Sequence, residues 1–132
     1  MLQVGDTARR TITVTDDQIR AFAQASGDHN PVHLDDAYAA ATMFGRRIAH
    51  GLLTASFISA VIGNDLPGPG TIYMGQDLKF KAPVYIGDTV TVTVVVTKYR
   101  ADRRIATLAT TCTNQDGKVV LEGEAVVLAP AE

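Results

Sequence analysis

The 132-residue chain has one cysteine, no excess of either charge, and no apolar run approaching the roughly 20 residues that span a bilayer. Each absence closes off a class of protein. Cys112 has no partner in the chain, so no internal disulfide forms and a reducing compartment is expected. The leading segment MLQVGDTARR holds no apolar core of signal-peptide length, so the expectation is a cytoplasmic protein with no membrane association. Twelve basic against fourteen acidic residues leave a formal charge of −2. No basic stripe exists to release counterions from a phosphate backbone, so nucleic acid is not an expected partner. Gly68 and Gly70 are followed by Tyr73 where a dinucleotide fingerprint needs glycine, and neither GxxxxGK nor GxSxG occurs. Nucleotide redox chemistry and serine hydrolysis lose their support. No repeat or linker divides residues 1–132, which are expected to form one domain around one core.

What is present is a change of hydrophobic rhythm. A strand is expected over Thr7 to Val14. Thr15 with Gln18 then forms a capping box for a helix that places Ile19, Phe22 and Ala23 on one face and stops at Gly27. A loop carrying Asn30 and Pro31 leads to a short alanine-rich helix that begins at Asp35 and Asp36 and ends near Gly45. From Leu52 to Ile62 apolar residues cover nearly every direction around a helix, interrupted by Thr54, Ser56 and Ser59, so this helix should be surrounded. Val90, Val92, Val94 and Val96 alternate with threonines at strand period. Further strands are expected near Ile72 to Lys81, Ile105 to Thr113 and Val119 to Leu128, and their short turns imply antiparallel pairing. The class is α+β. Periodicity alone leaves open whether the sheet wraps around the apolar helix or packs against it as an ordinary sandwich.

The densest chemistry lies at residues 26–33, SGDHNPVH. Asp28 and His33 are the residue types that orient and deprotonate a water, one holding a hydrogen bond while the other exchanges a proton. A plainer reading fits as well: Asp28 caps a turn, Asn30 forms an Asx turn before Pro31, and His33 is a half-buried loop residue. His29 and His33 have the spacing of a helical metal pair, with His50 as a possible third ligand. Pro31 within that interval argues against such a helix, so no metal is expected.

The stretch FAQASGDHNPVHLDDAYA resembles the signature of the (R)-specific enoyl-CoA hydratases of the MaoC-like dehydratase family, an aromatic residue followed by SGDxNPxHxD. The likeness continues through FGRRIAHGLL, IYMGQDLKFKAPVYIGD and GEAVV. It implies a hotdog fold, an antiparallel sheet wrapped around a long central helix, usually paired edge to edge as a homodimer. It implies Asp28 and His33 as the catalytic pair for reversible syn hydration of a trans-2-enoyl-CoA to the (R)-3-hydroxyacyl-CoA, with no cofactor. His29, in the variable position of the signature, would bring a second imidazole near the site.

Negative charge collecting on the thioester oxygen calls for a backbone N–H, and Gly51 at the start of the apolar helix is the candidate for the oxyanion hole. Asn30 either orients His33 or only holds the loop. Ser59, two turns beyond Gly51, either reaches the site or satisfies itself on the preceding turn. Arg46, Arg47, Lys79 and Lys81 are candidates for coenzyme A phosphates, and Leu52, Leu53, Ile58 and Ile62 for the acyl chain. Related members of the fold set the competing functions. An (R)-3-hydroxyacyl-[acyl carrier protein] dehydratase would use the same pair in reverse. A thioesterase would commonly place a carboxylate on or beside the central helix, where Leu52 to Ile62 has none. A non-catalytic acyl-binding subunit would not need Asp28 and His33. Polyhydroxyalkanoate synthesis and β-oxidation are settings that such relatives serve.

Overall fold

The computed structural model describes residues 1–131. Six strands form one antiparallel sheet: β1 (Thr7–Thr13), β2 (Ile72–Gln76), β3 (Lys79–Phe80), β4 (Thr89–Arg100), β5 (Ile105–Thr113) and β6 (Val119–Leu128). Their order is β1-β4-β5-β6-β2, with the two-residue β3 also on β6, which leaves β1 and β2 at the edges. The alternation in β4 is realised: Val90, Val92, Val94 and Val96 are fully buried while the intervening residues are half-exposed. Beyond Val96 a bulge in the β4–β5 pairing lets the strand run on to Arg100.

The expected single strand over 72–81 is broken in two. Asp77 is drawn across β6, its N–H donating to the Glu124 carbonyl at 3.0 Å and its Oδ1 accepting from the Glu124 N–H at 3.1 Å. The crossing is possible because residue 123 is glycine: a Cβ there would lie 2.0 Å from the Asp77 carbonyl oxygen.

Four helices complete the chain: α1 (Asp16–Ser26), α2 (Pro31–Leu34), α3 (Asp36–Ala40) and α4 (Gly51–Asn64). The Thr15–Gln18 capping box closes reciprocally over α1, at 3.2 and 3.0 Å, and Gly27 ends it in the left-handed region at φ 81°. Helix α3 stops at Ala40, short of Gly45, in turns in which the Thr42 hydroxyl donates to the Ala39 carbonyl.

Helix α4 lies against β1, β4 and β5, so the sheet wraps it as in a hotdog fold. Leu53, Phe57, Ile58, Val61 and Ile62 are buried against the sheet. At about 1.5–3 kcal/mol for each large apolar side chain removed from water, this face dominates the core. The helix is not surrounded on all sides, however. Leu52, Ser56, Ser59 and Gly63, spaced four, three and four apart, form an exposed stripe, with Leu52 59% accessible. No helix among the described residues is long and apolar enough to cross a membrane.

Candidate active site

The segment after α1 is built by local side-chain bonds. The Asp28 N–H donates to Ser26 Oγ at 3.1 Å, and Asp28 Oδ1 accepts from the Asn30 N–H at 3.1 Å. Asn30 Oδ1 in turn accepts from the Val32 N–H at 3.2 Å, so Asn30 caps α2 and carries the loop. Pro31 bars a helix through 29–33 and begins one of its own instead. It occupies the first helical position, where its missing N–H is one that a helix leaves unbonded anyway, and the single turn it starts carries His33. His29 lies before that turn, exposed, with Nδ1 3.1 Å from the Gly27 carbonyl oxygen. It is therefore not the second imidazole at the site.

That second imidazole is His50, only 2% exposed, whose ring stacks on His33 at 3.9 Å between centroids and 29° between planes. The strand-like run before α4 brings it there: the Ile48 N–H donates to the Val32 carbonyl at 3.3 Å, and the Ala49 N–H to the Val84 carbonyl at 2.7 Å. Two further bonds fix His33. Its Nδ1 lies 2.8 Å from the Ile48 carbonyl oxygen. A carbonyl can only accept, so Nδ1 carries the proton and Nε2 of the neutral ring offers a lone pair. The His33 carbonyl accepts from Arg47 Nε at 2.7 Å. Burial pushes the His33 pKa below the ordinary 6.5, with His50 acting in the same direction; the Ile48 bond and Asp28 oppose.

Arg47 is thus no phosphate ligand. It is buried at 7% exposure, bonded to Asp16 and to the His33 carbonyl, with Asp36 at 3.8 Å. Arg46 instead lies over the Tyr85 ring, 4.0 Å from its centroid.

Ligand atoms of Asp28, His33 and His50 all lie within 4.8 Å of one another. The set is suited to a bridging water, which two hydrogen bonds of about 2.8 Å would hold.

Asp28, His33 and His50 stand at the wall of a cavity of about 540 Å³, a size usual for small-molecule sites, together with Gly51, Leu52, Thr54, Phe80, Val84 and Leu121. Gly51 is the first residue of α4, so its N–H has no acceptor within the helix. A Cβ at this position would lie 2.6 Å from Phe80 Cε1, which accounts for glycine independently of any ligand. Lys81 also lines the cavity, 3.6 Å from Glu122. Of the four apolar candidates for the acyl chain, only Leu52 lines it. Leu53, Ile58 and Ile62 are turned into the core. Ser59 does not line it either: it lies seven residues, about two turns, beyond Leu52 along the exposed stripe of α4. Phe80 and Thr54 were missed by sequence reasoning, and His50 was weighed there only as a third metal ligand. None stands out by periodicity, and only the polar residues inside an apolar stretch offered a signal.

The sequence matches the MaoC like domain over residues 3–117. The chain belongs to this family. Among relatives of this MaoC-like chain, an (R)-specific enoyl-CoA hydratase of Rhodospirillum rubrum is 53% identical over 130 residues, 98% of this chain and 90% of the relative. The solved structure of an (R)-hydratase from A. caviae, described as involved in PHA biosynthesis, has 50% identity and a TM-score of 0.95, covering 98% of each chain. A mitochondrial 3-hydroxyacyl-[acyl-carrier-protein] dehydratase of Arabidopsis thaliana is 35% identical over 98% of this MaoC-like chain and 79% of its own length.

Proposed function

We propose that the protein is an (R)-specific enoyl-CoA hydratase, a hydro-lyase that adds water reversibly to trans-2-enoyl-CoA to give the (R)-3-hydroxyacyl-CoA. The observation that carries the reading is a carboxylate and an imidazole, with ligand atoms of Asp28 and His33 within 4.8 Å of one another, on the wall of a largely apolar cavity headed by a helix N-terminus. Residues 1–132 act as one MaoC-like hotdog domain in this reading, and no cofactor takes part.

A water held between Asp28 and His33 Nε2 is made nucleophilic as the pair draws off a proton. Its oxygen bonds to C3 while the C2–C3 π electrons move toward the thioester, and the developing oxyanion is met by the Gly51 N–H at the positive end of α4. A proton returned from the pair to C2 completes the addition. Delivery of oxygen and proton from the same wall makes the addition syn. Asn30 serves by capping the turn that presents His33. Ser59 has no role within one chain in this scheme.

The protein works as a homodimer in this reading. Support comes from two open features: the uncovered stripe of α4, and edge strand β2 with Ile72 and Met74 58% and 57% exposed. In this reading the enzyme is cytoplasmic, and a place in polyhydroxyalkanoate synthesis draws support from the A. caviae relative, described as involved in PHA biosynthesis.

The test follows loss of the enoyl thioester absorbance with crotonyl-CoA and with crotonyl-carrier protein, with chiral analysis of the product. Fast turnover of the CoA ester to the (R) alcohol is expected. Negligible CoA turnover beside fast turnover of the carrier-bound ester would replace the reading with the carrier-protein dehydratase.

A further inference from the structure

We infer that His50 is the positioning residue that holds Asp28 and His33 in working register; the inference rests on the reading of those two as the hydration pair. Three observations meet in this one side chain. Its Nε2 lies 3.0 Å from the main-chain carbonyl oxygen of Asp28, so Nε2 carries the proton and donates it there. Its ring stacks on His33 at 3.9 Å and touches Phe22 of α1 at 4.8 Å on a tilted approach. Its Nδ1 is buried and has no hydrogen-bond partner.

The last observation separates positioning from packing. An apolar ring would fill the same space without leaving a buried acceptor unsatisfied, so His50 carries a penalty that only the Nε2–H contact repays. That contact reaches the main-chain carbonyl of the acidic member of the pair. Asp28 is otherwise held by Ser26 Oγ on its N–H and by the Asn30 N–H on its carboxylate, both within its own exposed loop. His50 is the link from this loop to the buried start of α4. The same residue therefore fixes the main chain of Asp28 and covers one face of the ring of His33. Because it precedes Gly51, it also sets the distance from the pair to the helix N-terminus.

The experiment uses the full chain and crotonyl-CoA. His50→Phe keeps a buried ring against His33 but has no N–H for Asp28, whereas His50→Gln keeps an N–H at a similar reach. His50→Phe should stay folded by thermal denaturation and lose about 100-fold in kcat with KM within about threefold, as a misplaced catalytic pair requires. His50→Gln should recover to within about tenfold of the parent kcat. In the unsubstituted protein, ring ¹⁵N chemical shifts should show a protonated Nε2 and a bare Nδ1 for His50. A His50→Phe enzyme with parental kcat, a Gln variant no faster than the Phe variant, a loss confined to KM, or the opposite tautomer each overturns the inference. The tautomer measurement decides if neither variant folds. Absence of hydration by the unsubstituted chain would instead overturn the hydratase reading, which separates the two failures.

Discussion

Replacing Arg47 by methionine tests whether the site is held from beneath by a buried cation. Methionine preserves most of the stem and deletes the guanidinium. The loss that counts is the bond from Nε to the His33 carbonyl at 2.7 Å, made by a charged donor that is 7% exposed. Such bonds contribute about 1.5–3 kcal/mol. The ion pairs add little. Asp16 is 43% exposed and keeps Arg20 at 2.9 Å, and Asp36 is 89% exposed at 3.8 Å, so both carboxylates return to water. A net cost of about 2 kcal/mol, at roughly 3–5 °C per kcal/mol for a domain of this size, lowers the melting temperature by about 6–10 °C. Because the freed carbonyl belongs to His33, kcat should fall about tenfold, while the Nδ1 contact to Ile48 limits the displacement. Thermal denaturation by circular dichroism and the crotonyl-CoA assay measure the two effects. Asp16→Asn is the control and should cost less than about 1 kcal/mol. A methionine variant melting within about 2 °C of the parent with unchanged kcat would refute the assignment of Arg47 as the support of His33.

Asp28→Asn and His33→Gln should remain folded and lose hydration by about 10²–10⁴-fold each, the range for a general acid or base; rates near the parent would exclude the pair. The acid limb of kcat/KM should have its midpoint below 6.5, because burial holds the His33 pKa under its ordinary value and the base form survives to lower pH. The same sign applies to stability. The unfolded chain takes up a proton near 6.5 and the folded chain only lower, so this residue's contribution declines as pH falls from 6.5 toward the folded pKa. A midpoint above 6.5 would contradict the desolvated site. Ile72→Glu with Met74→Glu should convert a homodimer to monomers by light scattering, since two charges at an apolar strand edge oppose pairing; an unaltered mass would place the interface elsewhere.

What could be read from the chain was what neighbouring residues settle among themselves. The Thr15–Gln18 box, the left-handed stop at Gly27 and the valine rhythm of β4 are decided within a few positions, and the structure contains all three. Asp28 and His33 could be singled out as candidates for the same reason, since they lie in one short segment. One misreading came from weighing composition above spacing. Ser56 and Ser59 looked like interruptions of an apolar helix, yet with Leu52 and Gly63 they fall at helical intervals and define the side the sheet leaves open. Pro31, read as barring a helix through both His29 and His33, does so: α2 begins at Pro31 and leaves His29 outside it. Arg47 and His50 were beyond reach for a different reason. Their partners lie 14 and 22 residues away, and only the run 47–50, strung between Val32 and Val84, turns them toward the pair. The site therefore divides into two parts with different origins. The proposed reacting groups come from a loop that shapes itself. Their alignment comes from the buried approach to α4, so substitutions there should reduce turnover more than they reduce substrate binding.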